Sequence, residues 1–393
     1  MQRPSSLLRF PLLFVFGCTS ASSPPSSSVA APHPSRIAEW ATELAPTSRW
    51  QVESPDAGAV ADAAPPDAAI VVVALPDAAA PQLPRHARCG WIGAGDANGY
   101  ATFVAHAAWF DAIHPDWWAI ASDAVSLRVT GGTDDPGLLA AAAAHHVAVI
   151  PLVAGVDDVA LVRTMLGDPA KRSAHVSALV ALAVGRGYAG LDIDYEHLWS
   201  NADRAPFTAF IVELATAMHA AGKVLSVASP ALTEAVAGAA WSYPDLVPAL
   251  DRIHLMGYDF HSLGTHAGPT APLGWIDAVT TYVAATGHPE KFLLGLPNYG
   301  VTPASACALS ACAATCTSPI AATTDHMLTC PFGNFAPGRA LNCASPSGKL
   351  FFDDSQSLEE KVRMASARGL GGVTYWSVGG EPAGFFEMVQ RYY

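Results

Sequence analysis

Eight residues, Ala189-Gly-Leu-Asp192-Ile-Asp194-Tyr-Glu196, carry carboxylates at three alternate positions. In a strand this spacing sends Asp192, Asp194 and Glu196 to one face and Leu191, Ile193 and Tyr195 to the other. Same-face neighbours lie roughly 6.6 Å apart at about 3.3 Å per residue, so each charge raises the proton affinity of the next. Three such groups cannot all ionise cheaply, and one is expected to hold a proton near neutral pH. A carboxylic acid kept protonated is what general-acid cleavage of a glycosidic bond requires. A solvent-facing acidic edge strand would alternate in the same way, but the segments around this one argue against it.

Those segments form a rhythm of strands and helices. The chain has 393 residues, 51% hydrophobic and only 14% charged, enough for a large core. From about Arg88 onward, eight short apolar runs read as strands: 90–92, 124–128, 147–153, 190–195, 224–228, 252–257, 292–296 and 371–376. Between them, 207–220 has helical spacing (Phe207, Phe210, Ile211, Leu214, Met218), and Ser357-Leu-Glu-Glu360 has the pattern of a capping box. The pair His145-His146 reads as a helix end before the third run. This alternation predicts an α/β fold, and eight units fit a (β/α)8 TIM barrel. A doubly wound sheet would usually carry a Gly-rich phosphate loop, and Gly93-Ala-Gly95-Asp96 lacks the third glycine. Barrel sites assemble where strands end. Glu196 ends one run, Met256-Gly-Tyr258-Asp259 closes another and Trp376 the last. Taken singly, Tyr258 reads equally as a core tyrosine and Trp376 as a plug in the barrel mouth.

At these residues the chain resembles glycoside hydrolase family 18, the chitinase family. The fourth-strand motif Asp-Gly-x-Asp-x-Asp-x-Glu is matched by Gly190, Asp192, Asp194 and Glu196. The sixth-strand Met-x-Tyr-Asp is matched by Met256, Tyr258 and Asp259, and the eighth-strand tryptophan by Trp376. Gly295-Leu-Pro-Asn-Tyr299-Gly300 resembles the seventh strand, and 369–373 the approach to the eighth. The chain departs from the family twice. Ala189 stands where the motif begins with Asp, and the third-strand Ser-x-Gly-Gly is replaced by Leu152-Val-Ala-Gly155.

The resemblance implies a retaining, substrate-assisted mechanism, which differs from the scheme of two protein carboxylates. Glu196 would be the acid and then the base, Asp194 and Tyr258 would hold the substrate's 2-acetamido group, and Asp192 would tune Asp194. Trp376 would floor the cleavage subsite, with Asp259, Met256 and Tyr299 also binding substrate. An independent reading agrees: an ordinary retaining pair needs a second carboxylate ~5–5.5 Å from the acid. The seventh run ends without one, and Glu234 and Glu381 lie several residues past their strands, which leaves Asp259 as the competitor. The expected partner is therefore a polysaccharide containing N-acetylglucosamine, such as chitin or peptidoglycan. Trp91, Trp117, Trp118, Trp199 and Trp241 are candidates for stacking on sugar rings, or core residues. A catalytically weak or inactive barrel that binds carbohydrate is the alternative reading, since Ala189 breaks the motif. A non-glycan hydrolase with a nucleophile elbow is disfavoured, because no Gly-x-Ser-x-Gly occurs.

A formal charge of -13 without a Lys/Arg cluster argues against a nucleic-acid partner. No cofactor motif appears, and without HExxH no metal is expected. Arg3, the apolar stretch 7–16 and Gly17-Cys18 read as a signal peptide with a lipobox over 1–18. Export from a bacterial cell follows, with membrane contact only through a lipid anchor on Cys18, or else plain secretion. Residues 19–86, rich in Ser, Pro and Ala, read as a disordered linker, and 87–393 as the catalytic barrel. Within it, 302–349 form a Cys-rich insertion between the seventh and eighth strands. Cys307, Cys312, Cys316, Cys330 and Cys343, with Cys89, are expected to form disulfides, Cys89 pairing with the fifth cysteine of the insertion. Zinc held by thiolates competes, although tight CxxC pairs are absent.

Overall fold

The computed structural model describes residues 84, 86–155, 158–200, 202–235, 240–261, 269–300 and 351–393, with backbone alone at 301, 306–308, 320–321, 328–331 and 349–350. The signal peptide, the lipobox, nearly all of the linker and the side chains of the insertion cysteines lie outside the described residues. Eight parallel strands close on themselves: β1 (Ala87–Ile92), β2 (Ala112–Ile120), β3 (Leu152–Ala154), β4 (Gly190–Asp194), β5 (Val224–Pro230), β6 (Arg252–Met256), β7 (Phe292–Pro297) and β8 (Gly372–Trp376). Pairing runs from each strand to the next, and β8 returns to β1 (Arg88↔Val373, Trp91↔Trp376), so no edge is left open. The expected TIM barrel is the observed one.

The second strand differs from its expected position. The run 124–128 instead leads into a short strand, Leu127–Val129, that folds back antiparallel on the end of β2. The true β2, Ala-Ile-His-Pro-Asp-Trp-Trp-Ala-Ile, was hidden because His114, Pro115 and Asp116 interrupt its apolar run. Pro115 supplies no N–H to a ladder, and the register against β3 slips between Asp116 and Trp118, a bulge that re-aims the end of the strand.

Helices pack outside the barrel, and the main core lies between the two layers: Leu191, Ile193 and Tyr195 of the β4 segment meet Phe207, Phe210 and Leu214 of the helix Arg204–Ala220. Five helices start on an Asp whose side chain accepts a backbone N–H: Asp96, Asp135, Asp158, Asp168 and Asp354. Much of the acidic character of the chain is therefore capping. The helix Ser355–Ala367 begins on Asp354, which accepts from Ser357 N at 2.7 Å, so Ser357 is not the cap expected from Ser-Leu-Glu-Glu. His145 ends its helix and His146 caps it in the left-handed conformation, as its sequence implied.

Inside the barrel the side chains are layered. The floor is Ala87, Cys89, Ala112, Ile150, Val224 and Leu293. The mouth is Trp91, Leu152, Ala228, Met256 and Tyr258, with Tyr299 and Trp376 against them. Small residues let the strands close around these contents: a Cβ on Gly295 of β7 would sit 2.1 Å from the Leu255 carbonyl of β6. Cys89 is a free thiol buried in the floor, and this corrects its expected disulfide. The backbone flanking and within 302–349 forms an antiparallel sheet, in which Tyr299–Val301 pairs with Ala306–Ala308 and, through Val301↔Phe351, with Lys349–Phe352.

At the foot of the helix that precedes β8, Lys361 and Asp353 form an ion pair with both side chains fully buried, and Ser357 Oγ also donates to Asp353. Removing one partner strands the other charge in the core. Lys361→Ala is expected to cost about 3–5 kcal/mol, read as a lowered midpoint in denaturant unfolding. Lys361→Ala with Asp353→Ala should recover much of that loss.

Candidate active site

Strand β4 carries the acidic row into the barrel. Asp192 sits in the lumen with no exposed surface. Trp91 Nε1 of β1 donates to its Oδ2 at 2.9 Å and Ser226 Oγ of β5 donates to its Oδ1 at 2.7 Å. Ser226 is the register partner of Asp192 across the β4–β5 ladder, so the contact follows from strand pairing. Burial raises the Asp192 carboxyl to about 7, and these two hydrogen bonds act against the rise.

Asp194 stands two residues further along the row. Burial first, then the charges of Glu196, Asp192 and Asp116 and a hydrogen bond with Glu196, hold its carboxyl well above the usual carboxylate range. Glu196, by its charge and its hydrogen bond, thus favours a proton on Asp194. Glu196 lies just past the end of β4, where His197 Nε2 is 3.7 Å from its Oε2 and takes the left-handed conformation (φ 65°). That turn lets the chain leave the strand directly beyond the carboxylate.

The end of β6 supplies the opposite wall. Met256 and Tyr258 are buried in the mouth, and burial together with Asp259, Asp194, Glu196 and Asp192 keeps the Tyr258 hydroxyl well above its ordinary value. Tyr258 is therefore a neutral donor facing the acidic row. Asp259, also at positive φ (63°), accepts from Tyr299 Oη at 2.5 Å, and its N–H donates to Thr270 Oγ1 at 2.9 Å. The rings of Tyr258 and Tyr299 meet edge to face at 6.0 Å. Trp376, half-buried at the end of β8, lies 6.4 Å from Trp91, and its peptide bond to Ser377 is cis.

All eight residues expected at the site thus gather at the C-terminal end of the barrel. Of the tryptophans considered for stacking, Trp91, Trp117, Trp118 and Trp241 are buried, which corrects that reading; Trp199 alone keeps partial exposure. Trp91 belongs to the site by another route, as a hydrogen-bond donor to Asp192. Four more residues went unnoticed in the sequence: Ser226, His114, His254 and Asp116. His114 and His254 face Asp192 from β2 and β6, and their polar atoms and the Asp192 carboxylate lie within 4.8 Å of one another. Both Asp192 oxygens already accept hydrogen bonds and only three donor groups converge, so the trio is a polar cluster more than a metal centre. The one available signal was parity along β2 and β6, and it was lost when β2 was misplaced.

The raised carboxyl of Asp192 has a consequence for stability. Its folded-state proton affinity exceeds the unfolded one, so folding is penalised once the unfolded carboxyl ionises, and the penalty grows from about pH 4 to about pH 7. Asp192→Asn removes this titration. The melting temperature of the variant relative to the parent is expected to rise between pH 5 and pH 8, measured by thermal unfolding at both. A constant difference would contradict the raised affinity.

The chain matches the sequence profile of glycosyl hydrolases family 18 over residues 136–381. It is 26% identical over 270 residues to a class V chitinase of Arabidopsis thaliana, covering 58% of this chain and 67% of that one. A chitinase from Chromobacterium violaceum superposes with a TM-score of 0.66 at 22% identity, covering 78% of this chain and 98% of the other. The Bacillus cereus spore cortex-lytic enzyme SleL superposes with a TM-score of 0.67 at 16% identity, over 78% and 74% of the two chains; both superpositions speak to the fold. Curated relatives that match at 30% identity or more align over about a third of their own length or less. With the profile spanning more than half of the chain and the acidic row, the Met-x-Tyr-Asp turn and Trp376 at one barrel mouth, the protein belongs to glycoside hydrolase family 18.

Proposed function

We propose that the protein is a retaining, substrate-assisted hydrolase of β-1,4 bonds in glycans that contain N-acetylglucosamine. The observation that carries this reading is the pairing of Asp194 with Glu196 above a buried Asp192, facing the neutral hydroxyl of Tyr258. Glu196 gives its proton to the glycosidic oxygen. The carbonyl oxygen of the substrate's own 2-acetamido group attacks the anomeric carbon as the leaving sugar departs. Asp194 holds the amide nitrogen and Tyr258 the carbonyl, so the internal nucleophile arrives already aligned. Glu196, now a carboxylate, takes a proton from water, which opens the cyclic intermediate with retention.

The carboxylate of Asp259, the competitor for the role of protein nucleophile, accepts from Tyr299 Oη and, at 3.5 Å, from Thr270 Oγ1, which supports a nucleophile brought by the substrate. Trp376, with Met256 and Tyr299 beside it, offers the apolar floor that suits the face of a pyranose. Chitin oligomers and peptidoglycan both present the required acetamido group. On the N-terminal reading, a signal and a lipid anchor at Cys18 would place the barrel outside the cytoplasm, where both polymers occur.

The test is hydrolysis of a fluorogenic N,N′-diacetylchitobioside and of peptidoglycan fragments by the purified chain beside Glu196→Gln. The parent should release product, and the variant should lose about 10²–10⁴-fold in kcat while still binding ligand. Cleavage of peptidoglycan alone would narrow the substrate. Binding of both without cleavage would overturn the hydrolase reading in favour of a carbohydrate-binding barrel.

A further inference from the structure

The lumen below the acidic row holds two imidazoles that the proposed reaction does not use. His114 enters from β2 and His254 from β6, each about 1% exposed, and their rings meet edge to face at 4.4 Å. His114 Nδ1 lies 3.6 Å from Asp192 Oδ2, just beyond hydrogen-bond length. Neither nitrogen of His114, nor Nδ1 of His254, meets a partner in full hydrogen-bond geometry, although the Ile150 backbone lies near enough to favour the charged form of His114. A buried polar atom left in this way is unfavourable, and three of them lie together here. Trp91 closes the cluster from above, 5.5 Å from the His254 ring.

We infer that His114, braced by His254, is a positioning residue that turns an N–H toward Asp192 beside the two bonded donors and favours the ionised form of its carboxyl beneath Asp194. The inference rests on the hydrolase reading for its purpose, and on the lumen geometry alone for the contact. A carboxylate in a dry barrel needs donors, and Trp91 Nε1 and Ser226 Oγ supply two. A neutral imidazole adds a third N–H without adding charge. Burial keeps both rings neutral: it lowers His114 to about 3 and His254 well below its usual value. The donor is therefore insensitive to pH across the working range. An ionised Asp192 in turn raises the proton affinity of Asp194, so that the proton of the row stays with Asp194 and Glu196, where it is needed.

The other groups facing Asp192 do not replace this contact. Asp194 on its own strand and Asp116 within β2 add negative charge to the row, and Cys89 in the floor and Tyr258 at the mouth have their own proton affinities raised by Asp192. Among the described residues the cation of the floor cavity is Arg252, which lines it with Cys89, Asp111, His114 and His254, and its guanidinium donates to the carbonyls of Asp251 and Pro84. Strand β3 contributes Leu152, which is apolar.

Two readouts test the inference. The first is direct titration of the Asp192 carboxyl carbon by ¹³C NMR, assigned with Asp192→Asn. Its midpoint should rise by half a unit or more in His114→Leu and by less in His254→Leu, and fall back toward the parental value in His114→Asn, which restores an N–H. The second is the pH profile of kcat on whichever glycan the parent cleaves. Activity rises as Asp192 ionises, so the acid limb should move to higher pH in His114→Leu with KM unchanged, and return toward its parental position in His114→Asn. If His114→Leu does not fold, His254→Leu carries both measurements. An unchanged Asp192 midpoint in folded Leu variants would overturn the inference, as would failure of His114→Asn to restore it. A shifted midpoint in a chain that cleaves no glycan would leave the contact standing and remove the hydrolase reading instead.

Discussion

A carboxyl group in the dry lumen of a closed barrel is the constraint around which the rest of this molecule is arranged. Ionised, Asp192 must be repaid by hydrogen bonds for the water it has lost; protonated, it gives up its influence on the groups above it. The barrel meets this with donors from two other strands, Trp91 of β1 and Ser226 of β5, aimed at one point. Ser226 reaches Asp192 from the neighbouring strand, whereas Trp91 reaches it across the lumen of the closed barrel, where β8 pairs with β1. Fold and site therefore depend on one another.

The mouth adds the second part of the arrangement. Tyr258, Met256, Trp91, Tyr299 and Trp376 line the lumen above the acids, so a sugar seated there would displace water from the carboxyl pair. In such surroundings each charge acts more strongly on its neighbours than it would in solvent. The two non-glycine residues with left-handed backbone at this rim, His197 and Asp259, each follow directly on a residue assigned a role, Glu196 and Tyr258. The strands end abruptly where the chemistry begins, and the backbone strain falls at those ends.

The sequence was legible where period and parity coincided. The β4 segment announced itself because alternation put every acid on one face, and the strand count survived an error in one strand because the other seven runs were uninterrupted. The second strand was misread because it carries its functional residues within its own length: His114, Pro115 and Asp116 erase the apolar signal that marks a strand. Losing β2 also lost the histidine pair, since His254 has no evident role without His114 across the lumen. The tryptophans misled for a related reason. An indole near a strand end can face the cleft or fill the core, and only three-dimensional closure decides. Cys89 had the right parity to face inward, and it lies in the floor as a free thiol.

The insertion after β7 enters and leaves through neighbouring rungs, Val301 opposite Phe351, so the barrel meets a long segment at a single doorway. The ends of the loop are held together whatever lies between them, and the closure entropy that a longer insertion adds grows only with the logarithm of its length. A change of length between the two feet therefore adds little to the entropy of closing the loop. Tyr299, which anchors one foot and also binds Asp259, is the point where such variation would reach the mouth. The architecture separates what must stay constant from what can be tailored, and puts the boundary between them at one tyrosine.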